Sequence, residues 1–230
     1  MKTLIFPSLS VYKKIHLYLL KYPKIHDFIR FIRIKMETFK SHTKVTNHGY
    51  GRIEKDISGT DNQVFIGDDT LLYNPLIHIV GSNNKLTIEK RCVIGKRCSF
   101  WLEGNGVQIV INEGTTMTRD VHICAQEDDS AILIGKDCML SNNIIIRTSD
   151  SHPIYDKLTG GRINFSKNVI IGNHVWIAPN SRIMKGANIG DGCIVGSDTM
   201  VSKPVNKNCL VVGMPSKVIK ENIFWDRKFS

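Results

Sequence analysis

The run Thr148-Ser-Asp-Ser-His-Pro-Ile-Tyr155 is the most chemically loaded segment of this 230-residue chain. His152 is its leading candidate. An imidazole can accept a proton at neutral pH, and on a projecting loop it can reach a substrate hydroxyl. Asp150, two residues earlier, is read first as a turn-closing side chain and second as a group that orients the imidazole. Arg147 and Arg162 flank the segment. Each suits either of two roles, bidentate capture of an acidic group on a ligand or a tie that holds a long loop. Trp176 follows Val175, which should point inward, so its indole points outward, where a large aromatic needs a subunit or a ligand to cover it.

Other chemistries lack their residues. The eight histidines (His16, His26, His42, His48, His78, His122, His152 and His174) form no short ligand pair, and neither His-Glu-x-x-His nor Cys-x-x-Cys occurs. No metal site is therefore expected. Without a Gly-x-Ser-x-Gly elbow or a Walker loop, serine-hydrolase and nucleotide-hydrolysis readings fall away.

What must position these residues is a repeat. A large aliphatic returns every six positions at Ile171, Ile177, Ile183, Ile189, Val195 and Val201. Helices repeat near 3.6 and flat strands at 2, so a period of six describes a prism of short strands and corners, three units to a coil of a parallel β-helix. Gly172, Ala178, Gly190 and Gly196 follow these aliphatics and are read as tight corners. Upstream, the triplets Ile88, Ile94, Phe100; Ile111, Met117, Ile123; and Ile134, Leu140, Ile146 continue the pattern, as do Ile66 and Leu72 with a blurred third member near His78.

Successive coils begin 22, 23, 23, 37 and 18 residues apart, and the excess over the minimal coil always follows the third strand. The insertions at Gly81–Lys85, Glu103–Val107, Ala125–Ser130 and Thr148–Asn168 should therefore project from one edge. The longest of them carries His152, and long insertions on one face of a solenoid are often its binding face.

Three segments follow: a basic helical arm at 1–44, a β-helix at 45–212 with a projecting loop at 148–168, and a cap at 213–230, either a short helix or extended chain, covering the last coil through Ile219, Ile223, Phe224 and Trp225. The net charge of +10 belongs mostly to the arm, where ten Lys/Arg face only Asp27 and Glu37. Its apolar residues Ile25, Phe28, Ile29, Ile32, Met36 and Phe39 are spaced as on an amphipathic helix, and Pro23 separates it from a first helix around Val11 to Leu20. The arm is read as packing on its own domain or a neighbouring subunit, with an anionic membrane surface or a membrane-bound assembly as the alternative. Nucleic acid is not expected as a partner. No apolar run approaches bilayer length and no signal-peptide pattern occurs, which gives a cytoplasmic protein, peripheral at the inner membrane surface in the alternative reading. Cys92, Cys98, Cys138 and Cys193 each lie two residues before a repeat aliphatic or its equivalent, so they are expected as reduced core residues.

The stretches Val169-Ile-Ile-Gly-Asn-His-Val-Trp-Ile177, Val195-Gly-Ser-Asp-Thr-Met-Val-Ser-Lys203 and Gly213-Met-Pro-Ser-Lys-Val-Ile219 resemble the signature run of the hexapeptide-repeat acyltransferases. Ser149-Asp-Ser-His-Pro-Ile-Tyr155, Gly161-Arg-Ile-Asn164 and Lys220-Glu-Asn-Ile-Phe-Trp-Asp-Arg-Lys228 look most like the polysialic acid O-acetyltransferases of bacterial capsules. About the last 100 residues carry the likeness. It implies a homotrimer of left-handed β-helices that uses acetyl-CoA, with active sites between subunits. His152 would be the catalytic base, 24 residues before Trp176 as in that family, and Trp176 would shape the acetyl and acceptor channel. Ala178, Ser197, Lys203 and Lys217 match positions near bound coenzyme. Where a backbone N–H would be needed for the oxyanion, this chain reads Trp176-Ile-Ala-Pro179, so either Ala178 or another group must serve.

The implied function is acetyl transfer to a hydroxyl of a capsular or surface polysaccharide, with sialic acid among the sugars considered. The alternatives are an acetyltransferase for a small acceptor, such as a nucleotide sugar, an amino sugar or a xenobiotic, and a non-catalytic β-helix scaffold.

Overall fold

The structure, a computed structural model, describes residues 43–228. The expected helical arm, apart from its last residues, lies outside the described residues. From Lys44 onward the described chain is strand and turn, wound as a three-faced parallel β-helix. The first face stacks Lys44–Asn47, Gln63–Ile66, Lys85–Ile88, Gln108–Ile111, Ala131–Ile134, Val169–Ile171 and Asn188–Ile189 in parallel register. On the second and third faces the long strands Tyr50–Ser58, Leu71–Val80, Thr116–Gln126 and Met139–Arg147 run around the corner between them and join both faces into one twelve-stranded sheet.

The period of six becomes a core. Ile171, Ile177, Ile183, Ile189, Val195 and Val201 all point inward and are buried, and pairs such as Ile171 with Ile189 and Ile177 with Val195 stack coil on coil. Burying such a side chain contributes about 1.5–3 kcal/mol. All six cysteines are free and buried. Burial pushes the thiols of Cys92 and Cys138 up to about 11 and that of Cys124 up to about 12, which leaves them inert as nucleophiles. Cys124 is an exception to the inward pattern, because it follows the inward Ile123 and so faces away from the core, covered between its coil neighbours Trp101 and Arg147.

The blurred position near His78 resolves as Ile77. Ile77 is buried and pairs with Phe100, so this coil is one residue shorter between its second and third aliphatics, and His78 faces outward with its Nδ1 2.9 Å from Asp56 Oδ2.

The corners also differ from expectation. Gly172 and Gly190 do not adopt the left-handed conformation; they are glycine because a Cβ would lie 2.3 Å from Asp191 Oδ1 and 2.5 Å from the Lys207 nitrogen of the next coil. The left-handed turns fall elsewhere, mostly on Asn and Asp. At the second corner Asn74, Arg97, Asp120, Asn143, Asn180 and Asp198 form a column with φ between 54° and 63°, a conformation that the short polar side chains of all but Arg97 tolerate best.

The insertions do share the third corner and brace one another. Ser82 N donates to Asn105 Oδ1 at 3.0 Å, Asn105 N to Asp128 Oδ1 at 2.8 Å, and buried Asn84 donates to Gly104 O at 2.8 Å while accepting from Val107 N at 2.8 Å. At the other end the cap is extended, not helical: Lys217–Lys220 pairs antiparallel with Leu210–Val212. Ile219 and Phe224, expected to cover the last coil, are exposed, Phe224 at 90%, because the chain turns back along the outside of the solenoid instead of crossing its end.

Candidate active site

The loop that carries His152 leaves the third corner directly after Met139–Arg147 and returns at Val169. It stands on a network of polar ties. Thr148 Oγ1 donates to Gln126 O at 3.1 Å, Ser149 Oγ to Glu127 Oε1 at 2.6 Å, and Ser151 Oγ to Gln126 Oε1 at 2.8 Å. Ser151 sits at φ 69° and turns the chain so that the exposed His152 follows.

Asn164 then holds the backbone around the imidazole. Its amide nitrogen donates to Asp150 Oδ2 and to His152 O, both at 2.9 Å, and its oxygen accepts from Ile154 N at 2.6 Å. The imidazole itself makes no hydrogen bond among the described residues and is free to meet a substrate. Beyond it, Tyr155 and Arg162 form an antiparallel bridge, closed at the tip by Asp156, which accepts from Leu158 N and Thr159 N.

Asp150 neither closes a turn nor orients the ring. Its carboxylate accepts from Lys185 Nζ at 2.5 Å as well as from Asn164, and Lys185 foremost holds it below the ordinary carboxylate range. Arg162 donates to Glu127 Oε1 at 2.7 Å and to Asn164 O at 3.3 Å and lies 4.9 Å over the Phe165 ring. Glu127 is held below its usual value chiefly by this bond. Of its two expected roles, Arg162 is here engaged in tying the loop. Arg147 reaches Gln126 Oε1 at 3.4 Å and Ser151 Oγ, and its Nε is buried without a partner. It stands at the foot of the loop beside His122, which burial and then Arg147 push below the ordinary histidine value.

The other expected residues gather on different parts of the prism. Trp176 opens the second-face strand Trp176–Ile177, stacked between Met139 and Ile194, and its ring neighbour is Trp225 at 6.1 Å. Within one protomer no hydrogen bond or ring contact joins it to His152. Ala178 and Ser197 lie at the second corner, where Asp198 N donates to Pro179 O at 3.0 Å. An open cleft of ≈ 550 Å³ runs along this corner, lined by Asn143, Ile145, Asn180, Arg182, Asp198 and Met214. Lys203 follows the strand Met200–Val201 and Lys217 opens the last strand; both are exposed and have no carboxylate partner among the described residues.

The Ala178 N–H is not available for an oxyanion, because it donates to Val195 O at 2.8 Å within the ladder, and Asn180 N is likewise bonded to Asn142 O at 3.0 Å. With Pro179 between them, this backbone segment offers no donor at 178, 179 or 180. Among the described residues no group of three or more His, Cys, Asp or Glu could hold a metal ion.

Two contributors escaped sequence reasoning. Asn164 lies twelve residues from His152 in a loop without period, and only the fold brings 150, 152 and 154 to it. Arg182, an exposed cation on the cleft, had a signal: it immediately precedes the inward Ile183, so it must face outward.

Comparison with known proteins agrees with this architecture. Residues 168–203 match the model "Bacterial transferase hexapeptide (six repeats)". A polysialic acid O-acetyltransferase of Neisseria meningitidis is 38% identical over 82% of this chain and 84% of its own length. One of Escherichia coli O1:K1 is 36% identical over 53% of this chain, which spans only 39% of that relative. The crystal structure of the polysialic acid O-acetyltransferase OatWY superposes with a TM-score of 0.68 at 34% identity, covering 83% of this chain and 92% of the other. Identity at this level over most of the chain, together with the repeat match, makes this protein an acyltransferase of the hexapeptide-repeat family to which the polysialic acid O-acetyltransferases belong.

Proposed function

We propose that this protein transfers acetyl from acetyl-CoA to a hydroxyl of a bacterial surface or capsular polysaccharide, with a sialic acid polymer as the first acceptor to test, and that His152 is the general base. The observation that carries the reading is the exposed imidazole of His152, its backbone clamped by Asn164 on a loop tied through Arg162–Glu127 and Lys185–Asp150. A base must be oriented yet unoccupied to take a proton from an incoming hydroxyl.

The reaction balances without a covalent enzyme intermediate. His152 takes the hydroxyl proton as the sugar oxygen attacks the thioester carbonyl. The tetrahedral intermediate then expels the CoA thiolate, which recovers the proton from the imidazolium, leaving a sugar acetate and free CoA thiol. The coenzyme would lie along the second corner. Arg182, on the cleft, and Lys203 and Lys217, exposed near the same end, are the cations suited to its phosphates, and Ser197 would border the pantetheine arm. The oxyanion donor must come from outside 178–180, whose N–H groups are absent or engaged.

The reading includes a homotrimer with sites between subunits. Two features support it: no hydrogen bond or ring contact joins His152 and Trp176 within a protomer, and the loop exposes Ile154, Tyr155, Leu158, Ile163 and Phe165, with Leu158 at 95%, the kind of apolar surface that a neighbouring copy covers. The reaction would run in the cytoplasm, with the basic arm packed on the enzyme or, in the alternative, holding it near a capsule-assembling membrane.

The test is acetyl-CoA turnover against capsular oligosaccharides of graded length, with small amino sugars included, mass detection of the added acetyl group, and His152→Ala as control. Acetylation of long oligosaccharides that vanishes in the variant supports the reading. Acetylation of small acceptors alone, or of none, overturns it.

A further inference from the structure

The last described residues form a strap across the outside of the solenoid. After Ile223 N donates to Asn208 O at 3.0 Å, the chain turns back along the first corner, between the first and second faces. Trp225 lies flat on His174, ring centroids 4.0 Å apart and planes 8° from parallel. The pair is doubly bonded: Trp225 Nε1 donates to His174 O at 2.9 Å, and His174 Nε2 lies 2.9 Å from Trp225 O. His174 Nδ1 is in turn 2.7 Å from Asp137 Oδ2, one coil earlier. Arg227 donates to the other oxygen of Asp137 at 2.7 Å, to Cys138 O at 2.8 Å and to Thr116 Oγ1 at 3.0 Å, so the strap spans three coils. Burial works against ionisation of Asp137, but His174 and Arg227 outweigh it and hold the carboxyl below its ordinary value.

The strap's consequence lies two residues beyond His174, where Trp176 opens the second-face strand and faces outward opposite the inward Ile177. The Trp225 ring lies 6.1 Å from that of Trp176, tilted 48°, within the range of productive aromatic pairs. Trp225 itself is only 8% exposed, packed between His174 and the flank of the half-buried Trp176.

We infer that Trp225, anchored by His174 and by the Arg227–Asp137 pair, is a positioning residue that fixes the indole of Trp176 and thereby the shape of the acyl-transfer cleft. The inference rests on the reading of Trp176 as an active-site residue. A reacting group displaced by about 1 Å can cost on the order of a hundredfold in rate, so a wall behind the indole has kinetic weight.

The experiment has two arms. In a Trp101→Phe background, Trp225→Phe and Trp225→Ala each leave Trp176 as the sole tryptophan, with an aromatic ring behind it or without one. Acrylamide quenching of Trp176 should be stronger in the Ala variant by about twofold if the indole loses its support. In the second arm, kcat/KM per folded enzyme should fall by about tenfold or more for Trp225→Ala, fall less for Arg227→Gln, and recover most of its value with Trp225→Phe. Equal quenching in the two Trp225 variants, or a loss of activity that merely follows the folded fraction, overturns the inference. If the wild-type protein transfers acetyl to no acceptor, the proposed function fails, while the quenching arm still decides whether the strap holds the indole.

Discussion

His152 differs from the other polar residues of its loop in what it lacks. Asp150, Ser151, Arg162 and Asn164 are each engaged with neighbours, whereas the imidazole is held only through its backbone. His152→Ala should therefore lower kcat by about a hundredfold or more, the usual contribution of a general base, and leave the melting temperature near that of the wild type. The ties themselves predict a pH dependence. Asp150 and Glu127 are held below their ordinary values by Lys185 and Arg162, so their contribution to loop order is complete above the unfolded carboxylate range and is lost as pH falls through the lowered folded values. Protease cleavage within 148–168 should be slow near about pH 7 and rise toward about pH 3. A loop held by apolar contacts would show no such rise. His152 could be singled out from residue type and loop position, but Asn164 could not, since its bonds to 150, 152 and 154 exist only once the loop has folded back on itself.

At the scale of the element, the period of six was readable because each inward aliphatic meets its counterpart one coil away, and that requirement acts directly on residue type. The corners were misread because glycine serves two purposes. Gly95 illustrates the one that governs here: a Cβ would lie 1.8 Å from Thr118 O, so Gly95→Ala should cost more than about 2 kcal/mol, measured by denaturant unfolding, through displacement of a neighbouring coil's backbone. The third corner depends on side-chain amides instead. Asn84 is buried and satisfies Gly104 O and Val107 N, so Asn84→Ala should cost about 1–3 kcal/mol for each group left unpaired, again visible in unfolding. The tail defeated sequence reasoning for a different reason. Its apolar residues suggested a cover for the last coil, yet the bonds of Trp225 and Arg227 to His174 and Asp137 draw it back over coils that are remote in sequence.

For the whole molecule the decisive question is where His152 and Trp176 meet. The insertions place His152 at the third corner and the repeat places Trp176 on the second face, so a protomer acting alone would have to bring together groups from different edges of a rigid prism. In the proposed trimer, each site instead takes the imidazole from one copy and the indole from the next. The two arrangements separate in a mixing experiment. His152→Ala and Trp176→Ala homotrimers should each be nearly inactive. Co-assembled in equal amounts, an interface is intact only when the Trp176→Ala copy supplies His152 and the His152→Ala copy supplies Trp176, which random assembly in a cyclic trimer achieves at about one interface in four. Recovery of about a quarter of wild-type turnover is the expected outcome. Turnover no greater than that of the separate variants would place both groups in one chain's site, and the exposed apolar residues of the 148–168 loop would then need a partner other than a neighbouring copy.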